Sequence, residues 1–442
     1  MKKPKLNIVT LGCSKNKVDS EHLAASLSHC YDIMHDSDKK SDVVIINTCG
    51  FIGDAKEESI DTILEYAELR KANKIKKLYV MGCLSQRYRK DLQEEIHEVD
   101  GFFGVESVSL IASQIQNLSD SQTLRFSDSQ VLKYNPERLL STPSHYAYLK
   151  ISEGCNRRCA FCAIPLIRGE HVSVPMENLI EEAQLLAKKG VKELILIAQD
   201  LTYYGRDIDG QFHIVDLVKR LLEIKEFEWI RLHYGYPQGF PDELLDLMNN
   251  EPRICNYIDL PLQHISTPIL KNMRRGVDKE QTINFVKNAR NRVPGIAFRT
   301  TFIVGFPGET EEQFEELCDF VREMKFERAG VFAYSAEEGT PAYEMEDDVP
   351  DEVKQERVDT IMAIQQNISL ETNERRVGSI EKVLIDRIEG DYYIGRTQYD
   401  SPEVDDEILI PVDSADLNIG DFVNARLVKA DYFDIYGEVV GD

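Results

Sequence analysis

Three cysteines, Cys155, Cys159 and Cys162, follow one another at the spacing C-x3-C-x2-C, directly after the strand-like apolar run 146–151. Thiolates are soft ligands that favour zinc, copper(I) or iron–sulfur clusters. A structural zinc site takes four protein ligands, and His171, nine residues past Cys162, is too remote in sequence to be an obvious fourth. A four-iron cluster held by three cysteines leaves one iron open to a substrate or cofactor. The spacing therefore favours a catalytic 4Fe–4S cluster. The alternative is a structural zinc knuckle or a cluster of reduced thiols.

Three further cysteines each come just after an apolar run that the pattern predicts to be a buried strand. Cys13 follows the first such run, Cys49 the second and Cys83 the third. Helical periodicity between the runs predicts a parallel sheet, in which the carboxyl ends of the strands share one edge. We therefore expect these thiols to share a second cluster. The alternative is three buried core cysteines, since free cysteine is among the most buried residue types. The remaining cysteines show no such placement and are assigned to the core or to no role: Cys30, Cys255 and Cys318.

The order of the patterns predicts an α/β protein of three domains. Residues 1–135 are expected to form an open parallel α/β domain that carries the second cluster. The polar, Ser- and Gln-rich stretch 115–144 is interpreted as a linker with one edge strand. Six strand patterns alternate with helices in residues 141–377, which predicts a complete or partial parallel βα barrel. Five short strand patterns in residues 378–442 predict a small antiparallel barrel of the OB type.

The composition describes a soluble globular chain with an uneven charge. The chain has 442 residues and a net charge of −25. It has no signal-peptide pattern at its start and no apolar run of the ~18 residues that span a bilayer. Nine scattered cysteines without a secretory signal argue against a disulfide framework, so a cytoplasmic location is expected. The segment 378–442 holds 16 acidic and 5 basic side chains, a balance that repels phosphate backbones and attracts basic partners.

Three longer runs, together with the domain order, resemble the methylthiotransferases, a family of radical S-adenosylmethionine (SAM) enzymes. The runs are YLKISEGC at 148–155, IDLPLQH at 258–264 and TFIVGFPGET at 301–310. The resemblance covers essentially the whole chain and implies a cluster domain, a radical-SAM barrel and a C-terminal TRAM barrel. One departure is Val174, where the family usually has an arginine between Ser173 and Pro175. This departure puts a basic contact at that position in doubt, but not the reaction type.

The resemblance also implies a role for each motif residue. Cys155, Cys159 and Cys162 would hold the SAM-cleaving 4Fe–4S cluster, with Phe161 as the aromatic residue before the third cysteine. Cys13, Cys49 and Cys83 would hold an auxiliary 4Fe–4S cluster that carries or donates sulfur. Gln199 and Asp200 would contact the SAM amino group, while Gln263, Gly305 and Glu309 would border the ribose and adenine. The implied reaction uses a 5′-deoxyadenosyl radical to activate a C–H bond, sulfur then joins that carbon, and a second SAM supplies the methyl group.

Within the family, the resemblance is strongest to the branch that modifies the β-carbon of an aspartate in the twelfth protein of the small ribosomal subunit. A tRNA adenosine methylthiotransferase is the alternative, although its TRAM barrel should be basic. A non-enzymatic iron–sulfur carrier is the alternative from another class, and it would not need the SAM-bordering residues. The expected partners are the basic ribosomal protein, an electron donor such as flavodoxin or ferredoxin, and a sulfur carrier. The protein is expected to be a monomer, without a membrane and without nucleic acid as its direct substrate.

Two sets of charged residues are predicted to meet the substrate. Alternation along the strand around Arg299 would aim its guanidinium into the barrel, where it could hold a substrate aspartate. The alternative is a structural salt bridge with a barrel acid. Asp405, Asp406 and Glu407 are predicted to dock a basic loop of the ribosomal protein. The alternative for these acids is that they only keep the protein soluble.

Overall fold

The computed structural model describes residues 3–105, 108–119 and 135–441, which form two compact units. The first unit comprises residues 1–142, 148–156 and 163–185, and the second comprises 143–147, 157–162 and 186–442. The chain passes from one unit to the other five times, once between Asn156 and Arg157.

The first unit contains a five-stranded parallel sheet with the strand order β2-β1-β3-β4-β5. Its elements are β1 Lys5–Thr10, α1 Ser14–Leu27, β2 Asp32–His35, β3 Val43–Thr48, α2 Gly53–Lys71, β4 Lys77–Gly82, α3 Cys83–Glu95, β5 Gly101–Phe102 and α4 Val108–Ser119. Every residue of β3 is buried, which explains its unbroken apolar sequence. Val43 and Ile45 pack on one face of the sheet and Val44 and Ile46 pack on the other, so the sheet has two cores.

The predicted open parallel α/β domain is thus confirmed, with two edge strands that the sequence pattern did not indicate. Strand β2 is never fully buried, and β5 has only two residues, so neither has a long apolar run. Helix α4 continues to Ser119, into the segment interpreted as a linker. The rest of that predicted linker lies partly in residues 120–134, outside the described residues.

The chain then forms the segment that contains the C-x3-C-x2-C spacing. Its elements are β6 Tyr146–Lys150, β7 Ser152–Glu153, α5 Ile164–Arg168, β8 Val172–Ser173 and α6 Met176–Lys188. The short strands β7 and β8 pair in antiparallel fashion, and Cys155 donates its backbone N–H to the carbonyl of Gly169 over 3.2 Å. Gly154 must be a glycine, because a Cβ there would lie 2.1 Å from the carbonyl oxygen of Glu170 and its φ is +73°.

The second unit contains the rest of a six-stranded sheet and a closed barrel. Its sheet elements are β9 Glu193–Ile197, α7 Arg206–Asp209, α8 Ile214–Leu221, β10 Trp229–Leu232, α9 Asp242–Asn250, β11 Ile254–Asp259, α10 Thr267–Asn272, α11 Lys279–Arg292, β12 Ala297–Val304, α12 Glu311–Met324, β13 Arg328–Ala333 and α13 Asp351–Arg376. The strand order is β13-β12-β11-β10-β9-β6, so each strand lies beside its sequence neighbour. Such an order, built from parallel pairs along β9 to β13, is the predicted partial βα barrel.

The C-terminal strands close into a barrel in the order β14-β15-β16-β18-β17. They are β14 Ile380–Glu389, β15 Tyr392–Arg396, β16 Glu407–Pro411, β17 Phe422–Ala430 and β18 Asp434–Val439. Four pairings are antiparallel, but β16 and β18 run parallel, so the expectation of a purely antiparallel barrel is corrected at that one pair. The reason is that β17 lies between them in sequence and returns the chain to the same direction. Trp229 of the sheet packs edge-on against Phe422 of the barrel, with ring centroids 4.8 Å apart.

Within the described ranges, no helix combines the length and the apolar character needed to span a membrane.

Candidate metal centres and cofactor site

The three cysteines predicted to share an auxiliary cluster lie at one edge of the sheet in the first unit. Cys13 immediately precedes α1, Cys49 follows β3, and Cys83 is the first residue of α3, directly after β4. Because β1, β3 and β4 are adjacent parallel strands, their carboxyl ends bring the three thiols to the same edge. Cys83 is buried, and Cys13 and Cys49 are half-buried.

Two glycines allow these strand ends to approach each other closely. A Cβ on Gly12 would lie 2.7 Å from Cys49 Cβ and 3.0 Å from Cys49 Sγ. A Cβ on Gly50 would lie 2.7 Å from the backbone nitrogen of Leu84 and 2.9 Å from the carbonyl carbon of Cys83. Gly12 precedes Cys13 and lies against Cys49, and Gly50 follows Cys49 and lies against Cys83. The lack of a side chain at both positions therefore lets the cysteine loops approach each other.

Alanine at position 12 is expected to lower the iron content of the reconstituted protein. The added Cβ would push against Cys49 Sγ, and φ at Gly12 is +87°, where L side chains are strained. The matched control is Gly190→Ala, because Gly190 has φ +93° but nothing within 4 Å of an added Cβ. Both variants incur backbone strain, but only Gly12→Ala crowds Cys49. Iron per chain after anaerobic reconstitution should therefore fall in Gly12→Ala alone. Equal iron in both variants would mean that the approach of Gly12 to Cys49 is unimportant for the site.

Buried polar side chains tie the three strand ends together. The amide of Asn16 donates to the carbonyls of Leu11 at 2.8 Å and Thr48 at 3.1 Å, and Asn47 donates to the carbonyl of Asn16 at 2.9 Å. Thr48 Oγ1 donates to the carbonyl of Met81 at 2.6 Å. These bonds connect the loops that carry the cysteines, so the thiols are held by the fold rather than by a flexible loop.

Burial raises the pKa of two thiols of this set, those of Cys49 and Cys83. Burial raises the pKa of Cys83 to about 11, and the nearby Arg168 guanidinium opposes part of that rise. Burial also raises the pKa of Cys49, and the proximity of Cys13 adds to the rise. A bound metal centre deprotonates thiols outright, so burial and mutual repulsion would be offset by binding.

No three His, Cys, Asp or Glu side chains in the described part of the chain are grouped closely enough to hold one metal ion. In a four-iron cluster each thiolate binds its own iron, so the fit depends on the room between thiols and on the donors that face them. In the first unit the guanidinium of Arg168 donates its Nε–H to Cys83 Sγ over 3.4 Å. In the second unit Arg275 donates Nη1–H to Cys159 Sγ over 3.3 Å. N–H donors aimed at sulfur suit thiolates bound to iron, so the donors that face Cys83 and Cys159 fit the implied clusters.

In the second unit, aromatic and basic side chains surround Cys159. Arg275 is buried and donates Nη2–H to the carbonyl of Pro261 at 2.6 Å, and its guanidinium lies 4.3 Å from the ring centroid of Tyr236. The hydroxyl of Tyr236 lies 3.9 Å from Cys159 Sγ. Arg157 lies 4.1 Å from the same ring centroid. Cation–π contacts on one tyrosine therefore fix both arginines around the cysteine.

Asp200 holds the cysteine loop and caps a turn. Its carboxylate accepts from Arg157 Nε at 2.7 Å and from both the backbone N–H and the hydroxyl of Thr202, at 3.0 and 2.6 Å. Asp200 is 1% exposed, so its acceptor capacity is largely used by the protein. Its neighbour Gln199 follows β9 and is half-buried. A contact of Gln199 or Asp200 with SAM stays a prediction.

Gln263 and the turn 305–309 occupy the carboxyl ends of neighbouring strands. Gln263 has φ +76°, and its backbone pairs with β12 through Thr301 and Ile303, each over 2.8 Å. Its side-chain Oε1 is buried and has no hydrogen-bond partner among the described residues, which makes it an available acceptor. Glu309, in contrast, accepts from the N–H groups of Gly305 and Phe306 within its own turn. Its carboxylate thus shapes the turn that was predicted to border the nucleoside.

Phe161 packs into an apolar cluster beside this turn. The cluster includes Met273, Phe306 and Tyr334, and the Phe306 and Tyr334 rings meet edge-on at 5.2 Å. The aromatic residue before the third cysteine therefore helps to exclude water from this part of the second unit.

Arg299 forms an ion pair with a barrel acid, which was the alternative to its predicted substrate role. Its Nη1 lies 2.6 Å from Asp405 Oδ1, and the Asp405 side chain is fully buried. Asp405 also accepts from the hydroxyl of Tyr257 at 2.7 Å and from the backbone N–H of Ser401 at 2.9 Å. Arg299 and Asp405 thus form the structural salt bridge that was the alternative, and it joins the sheet to the barrel. A contact of Arg299 with the substrate stays a prediction.

Burial contradicts the docking role predicted for Asp405 and Asp406, whereas the docking role of the partly exposed Glu407 stays a prediction. Asp406 is buried and lies 3.1 Å from Arg328, and burial raises its pKa to about 7. Glu407 binds Arg387 of the same barrel at 2.6 Å. A net charge does not distinguish exposed acids from acids that bind arginines in the interior, as Asp405 and Asp406 do.

Sequence reasoning missed the two arginines that face the cysteines. Arg168 lies six residues after Cys162, which is a weak signal, and Arg275 lies 116 residues after Cys159 and gives no signal at all. Asn16 was also missed, although it is only three residues past Cys13.

Three family models match successive parts of the chain. The radical SAM superfamily matches residues 149–321, the TRAM domain matches residues 377–440, and the uncharacterized protein family UPF0004 matches residues 5–104. Among solved structures, the radical SAM methyltransferase TsrM from Kitasatospora setae, with cobalamin and a 4Fe-4S cluster bound, aligns with a TM-score of 0.54 at 15% identity. The alignment covers 89% of this chain and 81% of TsrM. At this identity the likeness shows the fold alone.

Curated relatives are much more similar. The ribosomal protein uS12 methylthiotransferase RimO of Cytophaga hutchinsonii is 52% identical over 99% of this chain and 98% of its own length. The enzyme of the same name from Christiangramia forsetii is 51% identical over 99% of this chain and 95% of its own length. Since about half of its residues are shared with these proteins from end to end, the chain belongs to the radical SAM superfamily and, within it, to the RimO family of ribosomal protein uS12 methylthiotransferases.

Proposed function

We propose that this protein methylthiolates the β-carbon of an aspartate in ribosomal protein uS12. The observation that supports this proposal most strongly is the 52% identity over 99% of the chain with a uS12 methylthiotransferase. The two sets of three cysteines add to it, because a methylthiotransferase needs one centre to activate SAM and another to handle sulfur. The relatives are named for uS12, so the tRNA alternative is not favoured. A carrier without catalysis is not favoured either, since the radical SAM family matches the core.

Cys155, Cys159 and Cys162 would hold the SAM-binding cluster, and Cys13, Cys49 and Cys83 would hold the auxiliary cluster. When bound, these groups supply radical C–H activation and sulfur for insertion. An electron donor such as flavodoxin or ferredoxin would serve the first centre, and a sulfur carrier would serve the second. Modification of a ribosomal protein would place the enzyme in the cytoplasm.

The chain's own residues would orient the cysteine loop, bind the nucleoside of SAM and shield the reactive carbon from water. In the second unit Asp200 fixes Arg157, and Arg157 together with Arg275 clamps Tyr236 beside Cys159. The free acceptor of Gln263 could receive a hydroxyl or amino donor of the nucleoside. Phe161 and its aromatic neighbours would keep water from the reactive carbon. Glu309 holds the turn at Gly305 in the shape that such a ligand would meet.

The surface for the substrate would involve acids other than the buried Asp405 and Asp406. Ribosomal proteins are basic because they bind RNA, so they would be attracted by exposed carboxylates. Several acids of the barrel remain exposed after the inward-facing ones are set aside: Glu389, Asp391, Glu403, Asp413, Asp416, Asp431 and Glu438. Asp391 and Asp413 lie close together, because the carbonyl of Asp391 accepts from the N–H of Val412 at 3.0 Å.

The experiment that tests the function is mass spectrometry of uS12 in cells with and without the gene. The methylthio group replaces a hydrogen, so uS12 should gain the mass of CH₂S on one aspartate only when the gene is present. The same product should form in vitro from reconstituted protein, SAM, a reductant and uS12. A modification on tRNA with unmodified uS12 would contradict the proposal. SAM cleavage without transfer to either substrate would also contradict it.

A further inference from the structure

Arg168 is a buried cation directed at the auxiliary cysteines. Its side chain is 2% exposed, and it lies at the end of α5, six residues after Cys162. It donates Nε–H to Cys83 Sγ over 3.4 Å. The sulfur of a neutral thiol is a weak hydrogen-bond acceptor, whereas the charged sulfur of a metal-bound thiolate is a good one.

The other N–H groups of Arg168 are held by oxygen, which fixes the direction of Nε. Nη1 donates to both oxygens of Glu153 at 2.8 and 2.9 Å, and Nη2 donates to Asn16 Oδ1 at 2.7 Å. Asp19 lies 3.3 Å from Nη1. Asn16 also bonds the strand ends next to Cys13 and Cys49, so one residue orients both the arginine and the cysteine loops.

The helix that carries Arg168 is packed firmly against Cys83. Ala163 and Ile167 form a small buried cluster with Cys83, and Val105 packs against it. Glu153 and Asp19 already have a second cation in Lys150. Neutralising these two carboxylates therefore does not by itself explain why the guanidinium of Arg168 is held beside Cys83. The two cations and two carboxylates of this network balance each other. The direct N–H contact is therefore what distinguishes Arg168 from Lys150 at the sulfur.

We propose that Arg168 is a positioning residue that tunes the auxiliary centre by donating an N–H to the sulfur of Cys83. This inference rests on the proposed function, because it requires a cluster at Cys13, Cys49 and Cys83. A hydrogen bond to a cluster cysteine stabilises the reduced, more negatively charged state and raises the reduction potential. Loss of the bond should therefore make the auxiliary centre harder to reduce.

The test uses the full chain with Cys155, Cys159 and Cys162 replaced by alanine, so that only the auxiliary centre forms on anaerobic reconstitution. Iron content is measured, and the reduction potential is obtained by a redox titration followed by electron paramagnetic resonance. Arg168→Gln should lower the potential with iron content unchanged. Arg168→Lys keeps the charge but lacks the fixed Nε–H, so it should lower the potential less. Lys150→Gln is the matched control, since Lys150 bonds the same two carboxylates, and its effect should be the smallest.

The outcomes separate this inference from the proposed function. An unshifted potential in Arg168→Gln at full iron content would overturn the inference, and so would an equal shift in Lys150→Gln, which would assign the effect to net charge. Loss of iron from both Arg168 variants would assign a structural role instead and would also overturn it. If only Arg168→Gln loses iron, the reduction potential of Arg168→Lys is compared with that of the parent. A lower potential supports the inference, and an unchanged potential overturns it. Absence of iron from the parent itself would contradict the proposed auxiliary centre.

Discussion

Replacement of Cys155, Cys159 and Cys162 together by alanine is expected to remove about half of the iron and all cleavage of SAM. Two four-iron clusters correspond to about eight irons per chain after anaerobic reconstitution, and each set of three cysteines would account for half. A four-iron cluster held by three cysteines leaves one iron open, and SAM activation is assigned to the C-x3-C-x2-C set because it lies within residues 149–321, which the radical SAM superfamily model matches. The loss is measured as iron per chain and as 5′-deoxyadenosine formed from SAM and dithionite.

The converse variant should separate the two centres. Alanine at Cys13, Cys49 and Cys83 is expected to remove the other half of the iron, to leave some 5′-deoxyadenosine formation and to abolish methylthiolation. Cys30→Ser is the control, since Cys30 is exposed and lies at no strand end of the sheet. Zinc in place of iron at either set, in protein kept free of oxygen, would contradict the assignment. Loss of SAM cleavage in the converse variant alone would exchange the roles of the two sets.

The parts of the fold that the sequence predicts well are those with local signals. Apolar runs followed by Gly-Cys or Thr-Cys mark the ends of β1, β3 and β4, and the structure places all three cysteines at one edge. The same reasoning predicts the six strands of the core, because buried parallel strands have unbroken apolar sequences. Edge strands such as β2 are not predicted by this reasoning, because they bury only part of their side chains and lack an unbroken apolar run.

The charged residues could not be placed from the sequence, because their partners are far away along the chain. Asp405 belongs to an acidic stretch that looks like a solvated surface, yet it binds Arg299, 106 residues earlier. Arg275 meets Cys159 from 116 residues away. Charge counts give net attraction but not direction, so acids that face inward were counted with those that face solvent.

A buried ion network between β9 and the barrel should make Glu193 one of the most sensitive positions of the second unit. Glu193 is fully buried and binds Arg231 at 2.7 Å and Arg396 of β15. Arg396 also binds Asp386 of β14 at 2.8 Å. Glu193→Ala leaves two buried guanidinium groups short of a counter-charge. Breaking a buried pair on one side costs about 3–5 kcal/mol, so a large fall in thermal midpoint is expected. Calorimetry of wild type and variant under identical conditions measures the shift.

Two further variants show whether the effect comes from buried charge. Glu193→Gln keeps nearly the same volume, so its loss of stability isolates the charge from the cavity that alanine would leave. Glu228→Gln is the matched surface control, because Glu228 binds Lys382 of the barrel at 2.8 Å while both side chains are about half exposed. Exposed pairs contribute about 0–1 kcal/mol, so this variant should melt close to wild type. If Glu193→Gln shifts the midpoint no more than Glu228→Gln, the buried network does not stabilise the junction of sheet and barrel, and the arginines there must be stabilised by their contacts with backbone carbonyls, such as that of Arg231 with Gln398 at 2.8 Å.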